Sequence, residues 1–172
     1  MLTKIDLCSM ALLKLGERPI QSLNDDSVAS QLARTLFDPI MDALIASHPW
    51  RFAMRTYELT ETTDGDFVIP ADVLRVINSP GSISSGHIVA SGEKIQITAL
   101  IRIAPEAYPA YFASLAATKL AMEFCVPMTG DQSVFRMLAA LYETEYGSAK
   151  FIDSTTTTSA NIDKFSLINA RF

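Results

Sequence analysis

Cysteine and histidine are both scarce in this chain, with two of each. Cys8 and Cys125 fall in apolar stretches with helical spacing, where a free thiol packs as a small hydrophobe. Free thiols in a reducing cytosol are a simpler expectation than a disulfide between them. A metal site needs clustered ligands. His48 has no His, Cys or carboxylate three or four residues further on, and it reads as a helix-end residue near a terminal carbonyl; His87 is expected on a strand or loop. No Gly-x-Ser-x-Gly occurs, which removes the nucleophile elbow. Gly81–Gly86 lacks the lysine of a phosphate-binding loop and no helix pattern follows it, so it reads as a flexible loop. Asp25 and Asp26 precede a helix, where negative charge is favoured by the helix dipole, rather than forming an acid–base pair. Nothing local supports Cys8 and His48 as nucleophile and base. We therefore expect no catalytic, cofactor-binding or metal-binding residues, and no enzyme.

Positive charge is also in short supply. The net charge is -5 and the isoelectric point about 5.0, so no global basic field would grip nucleic acid. Arg51 and Arg55 interleave with Trp50, Phe52 and Tyr57, the mixture of a nucleic-acid patch. Only two charges are present, however, and Glu58 and Glu61 follow. Trp50 and Phe52 are accordingly read as core anchors, and the arginines as partners of carboxylates. No run approaches ~18 apolar residues, so no membrane span is expected. The opening Met1–Asp6 lacks the pattern of a signal peptide.

What the chain has in quantity is apolar side chains. They make up 49% of it, and the mean hydropathy is +0.21. That is high for a soluble monomer and predicts apolar surface buried against other chains. The length suits one domain with a real core.

Helical periodicity is clearest at the two ends. Thr3 and Asp6 form a capping-box pair before a helix from about Lys4 to Leu15, with Ile5, Cys8, Leu12 and Leu15 on one face and Gly16 ending it. A second helix runs from about Ser27 to Ser47, bent rather than divided by Pro39. A third opens at Pro109 and stops before Pro127; its alanines let another helix approach closely. The fourth runs from about Asp131 to Ile152. Between them, residues 55–104 are rich in glycine, serine, threonine and β-branched residues. Lys94–Thr98 alternates as a half-buried strand. His87–Ala90 precedes it across Ser91-Gly92-Glu93, which reads as a hairpin turn, and Leu74–Ile77 and Leu100–Ile103 are further strand candidates. The expected fold class is mainly α: a four-helix bundle over residues 1–152 with a small β-hairpin element inserted at about 55–104. Residues 153–172 form an extended C-terminal arm. Its serine–threonine run cannot order itself, yet Phe165, Leu167, Ile168 and Phe172 want a surface to lie on.

Several segments occur in a suggestive order: Ala11–Gly16, Pro19-Ile20, Asp25-Asp26-Ser27, Ala43-Leu44-Ile45, His48-Pro49-Trp50-Arg51-Phe52-Ala53, Ile69–Val76 with its Pro70-Ala71-Asp72 and Arg75-Val76, and an alanine-rich helix after Tyr108-Pro109. Over about residues 4–150 this order resembles phage head–tail adaptor proteins, including the tubular tail proteins of short-tailed phages and the adaptors of gene-transfer particles. The Trp50 and Asp72 segments are the more specific pieces. The resemblance implies a homo-oligomeric ring of twelve subunits under the portal protein, followed by the next tail or stopper protein, with DNA passing through the lumen without specific binding. It implies a place in the virion neck, and in the host cytoplasm during assembly. The stretch from Arg75 to Pro109 is short for a tubular tail protein, which favours the compact adaptor type. An acidic subunit suits a conduit, since a basic lumen would hold DNA and slow its exit. Within this reading Asp72 and Arg75 are interface or turn-fixing residues, Arg75 taking a bidentate carboxylate partner. Phe165, Leu167, Ile168 and Phe172 are the gripping residues of the arm. The competing class is a small helical protein-binding module or regulator that forms no ring.

Overall fold

The structure of the protein, a computed structural model, describes residues 1–156. Phe165, Leu167, Ile168 and Phe172, the apolar residues of the expected arm, lie outside the described residues.

The first helix, α1 (Lys4–Lys14), starts as its sequence requires. Asp6 N donates to Thr3 Oγ1 at 3.2 Å and Thr3 N donates to Asp6 Oδ2 at 2.8 Å, completing the capping box. Those two hydrogen bonds hold the Asp6 carboxyl below its usual range. Helix α2 (Val28–Ser47) begins behind Ser27, whose hydroxyl accepts from Ser30 N. It continues unbroken through Pro39. Pro39 and Thr35, whose carbonyl loses its helical donor, are both exposed, so water can take the donor's place. Helix α3 (Ala110–Met128) is the axis of the helical body: ten of its residues are buried, and it packs against α1, α2 and α4. It does not stop before Pro127, as the sequence suggested, but carries that proline in its exposed last turn. The missing N–H costs little there, because the carbonyl of Glu123 is on the solvent side. Helix α4 (Gln132–Thr155) is capped by Asp131, which accepts from Ser133 N and Val134 N. It extends through Thr155, past the point where the arm was expected to begin.

The middle of the chain departs most from the sequence-based expectation. There are six strands: β1 (Met54–Thr60), β2 (Phe67–Val68), β3 (Val73–Asn78), β4 (Ser82–Ser84), β5 (His87–Val89) and β6 (Lys94–Ile101). They form two three-stranded antiparallel sheets, ordered β1-β6-β3 and β2-β5-β4. Helix makes up 51% and strand 19%, so the fold is an α+β mixture and not a four-helix bundle with a small hairpin. The expected hairpin across Ser91-Gly92-Glu93 does not exist; β5 and β6 lie in different sheets. The tight hairpin is instead β4–β5. Ser85 and Gly86 both have positive φ (49° and 82°) and join the paired residues Ser84 and His87, a two-residue turn of the primed kind. The segment read as a flexible loop, Gly81–Gly86, is therefore a strand and its turn. Gly81 has to be glycine, since a Cβ there would sit 2.2 Å from the carbonyl oxygen of Val89.

Strand β6 joins two cores. Side chains alternate across a strand, and Ile95 and Ile97 point into a small cluster with Phe67 and Ile88, ringed by Tyr57, Leu59, Ile69 and Ala90. Leu100, of opposite parity, is fully buried in the helical core with Trp50, Phe112 and Leu120. The second core is small, so each member matters. Phe67→Ala should weaken the β lobe by about 3–5 kcal/mol. Hydrogen exchange should show faster opening of amides in β2, β5 and β6 while those of α3 keep their protection.

Candidate functional site

Two of the segments that carried the resemblance, His48–Ala53 and Ile69–Val76, meet at the C-terminal end of α2. A helix leaves its last four carbonyls without intrahelical donors, and here side chains from elsewhere supply some of them. The chain turns at His48-Pro49, which brings Trp50 back beneath the helix. Its Nε1 donates to the carbonyl of Leu44 at 3.0 Å, and the side chain is fully buried. Arg75, reaching across from β3, donates from Nη1 to the carbonyl of Ala46 at 2.8 Å. The expected carboxylate partner of Arg75 is thus replaced by a backbone carbonyl at a helix end, where a cation is favoured by the dipole.

Around Trp50 the rings interlock. Phe112 meets it edge-on at 5.2 Å and Tyr146 at 6.0 Å; Phe52, partly buried, packs on Phe112 at 4.7 Å and is flanked by Tyr108. Trp50 and Phe52 sit where α2 passes into β1. His48 lies edge-on to Trp50, and its burial pushes the imidazole below its ordinary value.

Asp72 and Arg75 serve different partners. The carboxylate of Asp72 accepts from the Tyr57 hydroxyl at 2.7 Å, and its carbonyl accepts from Arg102 N at 2.8 Å, tying the segment before β3 to the strand ladder. That hydrogen bond raises the Tyr57 hydroxyl above its usual value. Arg102 in turn grips Asp42 of α2 with both Nε and Nη2. These residues border a cleft of about 370 Å³ floored by Phe37, Pro105 and Tyr108. Burial, with Asp42 and Asp38 nearby, pushes the Tyr108 hydroxyl well above its usual range.

Asp153 is the residue that sequence reasoning missed. It is buried, 1% exposed, and accepts both from Arg51 N (3.2 and 3.1 Å to its two oxygens) and from the Tyr111 hydroxyl at 2.7 Å. It pins α4 to α3 and to the short 3-10 turn Arg51–Ala53 that follows Trp50. Burial and this hydrogen bond raise the Tyr111 hydroxyl far above its usual range. A signal was present: Tyr142, Tyr146, Ala149 and Asp153 fall at i, i+4, i+7 and i+11, so the inward face of α4 runs on to Asp153. A second missed cluster joins the helices. Thr118, buried in α3, accepts from Lys14 Nζ at 2.9 Å and donates to Glu145, which also accepts from Ser114.

The remaining candidates stand apart from this junction. Arg51 meets Asp153 through its backbone, and Arg55 donates to the carbonyl of Met54, so neither shows the carboxylate pairing expected of its side chain. Asp25 and Asp26 are exposed ahead of α2. His87 lies on β5, its Nδ1 2.7 Å from Asp66 Oδ2 but out of line for a hydrogen bond. Both cysteines are free and buried, and burial pushes the Cys8 thiol up to about 12, far from the reactive thiolate range. Among the described residues no three His, Cys, Asp or Glu side chains are grouped to hold a metal, and no helix is long and apolar enough to cross a membrane. No protein-family model and no curated protein matches the chain.

Two substitutions test the junction. Trp50→Ala should lower the unfolding free energy by about 3–5 kcal/mol, read from the urea midpoint. Asp153→Ala should cost about 1–3 kcal/mol, because it strands a backbone N–H and a hydroxyl. A chain ending at Ile152 should lose at least as much, whereas one ending at Thr156 should melt like the full chain.

Proposed function

We propose that this chain is a structural, non-catalytic head–tail adaptor of a tailed bacteriophage or phage-like particle. It assembles as a ring, twelve subunits in the particle, between the portal protein and the next tail or stopper protein, and DNA passes through its lumen without specific binding. Its place is the virion neck, and the host cytoplasm during assembly. The observation that carries this reading is apolar surface left exposed among the described residues, beside two closed cores. Val126, Met137 and Phe151 are 66%, 60% and 69% exposed, and Val68, Ile83 and Val89 of the small sheet are each more than half exposed. Surface of this kind, on several sides, suits a subunit with neighbours. The resemblance adds the kind of assembly. Its two most specific pieces, His48–Ala53 and Ile69–Val76, converge on the end of α2, where they set the β lobe on the helical body.

A second reading, a small helical module that binds one partner and forms no ring, is favoured by the groove at the α3–α4 turn. Val126, Phe135 and Arg136 line it, and its volume is about 400 Å³. The mass of the purified protein, by light scattering with and without portal protein, separates the two. The adaptor reading expects a ring-sized complex with portal, visible by electron microscopy as density in the neck of the particle. A chain that stays monomeric in both conditions would exclude it. A chain ending at Thr156 should keep its fold but fail to assemble, because Phe165, Leu167, Ile168 and Phe172 are removed.

A further inference from the structure

A tyrosine hydroxyl that leaves water ordinarily finds a hydrogen-bond partner. Those of Tyr57, Tyr111 and Tyr146 do so, meeting Asp72, Asp153 and Ser47. Tyr108 is the most buried of the five tyrosines, at 9% exposed, yet among the described residues its hydroxyl has no partner. Tyr108 lines the cleft of about 370 Å³ between the start of α1, the middle of α2 and the segment after β6. Burial raises its hydroxyl most, and Asp42, Asp38 and Glu106 then raise it further. The first two of those carboxylates stand on the cleft wall, so the hydroxyl looks into the cleft, neutral and in a negative field.

The rest of the lining is of the same character. Asp38 commits Oδ1 to Lys4 and Asp72 commits Oδ2 to Tyr57, which leaves Asp38 Oδ2 and Asp72 Oδ1 without a partner among the described residues. Three carboxylates line the cleft against two cations, Lys4 and Arg102, a formal charge of 2 - 3 = -1. The floor is apolar and partly aromatic, and the ring of Phe37 already has the Lys4 ammonium 5.2 Å from its centroid. Arg102, gripping Asp42 through both Nε and Nη2, shows that this wall receives a guanidinium in a forked geometry.

We propose that the cleft seats one arginine side chain presented by a partner polypeptide, its guanidinium donating to Tyr108 Oη and Asp38 Oδ2 and its methylene stem lying on Phe37 and Pro105. A planar fork reaches two separated acceptors at once, whereas an ammonium is a more strongly hydrated point charge. The volume has room for a long side chain with its backbone left outside. Free arginine would bring its own α-carboxylate to a rim already negative. The inference goes beyond the adaptor reading and does not rest on it.

The test follows the methyl signals of Met41 and Ile103, both in the cleft lining, in the full chain by NMR. The probe is N-acetyl-arginine amide, compared with the neutral citrulline amide of the same shape, with the lysine amide and with free arginine. Blocked arginine should shift both methyl signals to saturation, and each of the other three should bind at least about tenfold more weakly. Tyr108→Phe should weaken binding about fivefold, and Asp38→Asn about tenfold. The first keeps the packed ring and the second alters a half-exposed side chain, so unchanged circular dichroism is expected of both. Equal binding of citrulline amide or lysine amide would overturn the guanidinium assignment. Equal binding of free arginine would overturn the polypeptide source. Shifts that persist undiminished in both variants, or no saturable shift at all, would overturn the site. None of these readouts involves portal protein or ring formation, so the two readings stand or fall separately.

Discussion

The carbonyl groups at the end of α2 impose the constraint around which the molecule is arranged. Buried carbonyls without donors cost free energy, and their donors come from three directions: the indole N–H of Trp50, the hydroxyl of Ser47 and the guanidinium of Arg75. Satisfying Leu44 requires the chain to double back at His48-Pro49 and bury a tryptophan. Arg75 reaches the carbonyl of Ala46 from β3, at an exposed position, and so ties that strand across the helix end. Once both hold, the start of β1 is aimed and β3 is anchored, and β6 has its place between them. The buried carboxylate of Asp153 then fastens α4 to the same turn. Helix, sheet and final helix are thus joined by a few donors and acceptors, while the apolar area supplies most of the stabilisation.

Much of the helical body is legible in the chain. The Thr3–Asp6 box, the serine before α2 and Asp131 before α4 are local signals, and local signals survive folding. Each helix lies close to its expected place, although α3 runs on through Pro127. The β lobe was misread because its pairing is not local. Strand β1 pairs with β6 across 34 to 46 positions of sequence, and β2 and β4 are too short to show any period. Ser85-Gly86 carries a weaker hairpin signature than Asn-Gly or Asp-Gly, and Ser91-Gly92-Glu93 looks more like a turn between strands than it is. Of the site, Trp50 was legible as an anchor and Arg75 as a polar contact. The partner of Arg75 was not, because a backbone carbonyl has no letter in the sequence. Asp153 was hidden by the polar run after it, which suggests that the helix has already ended.

The division of labour between the two cores bears on the functional reading. The helical core holds the larger aromatics and nine of the ten buried alanines, and is built for close helix contact. The β lobe has four fully committed apolar residues and an outer surface bearing Val68 and Val89. A subunit that meets neighbours on more than one side benefits from such a plan. One part keeps the fold, and the other presents shape at little risk to it.

The parity of β6 sets a rule for how this chain can vary in length over time. Ile95 and Ile97 belong to one core and Leu100 to the other, with an odd step between them. Insertion of one residue inside the strand would turn every side chain beyond it to the opposite face. Placed between Ile97 and Leu100, it would leave Ile95 and Ile97 in their core and turn Leu100 out of the other, unless a bulge absorbed the extra residue. Insertion of two residues keeps both sets facing inward and merely lengthens the ribbon. Drift in this lineage should therefore leave homologous β6 strands that differ by even numbers of residues, while the turn at Ser85-Gly86, outside both cores, is free to take up changes of any size.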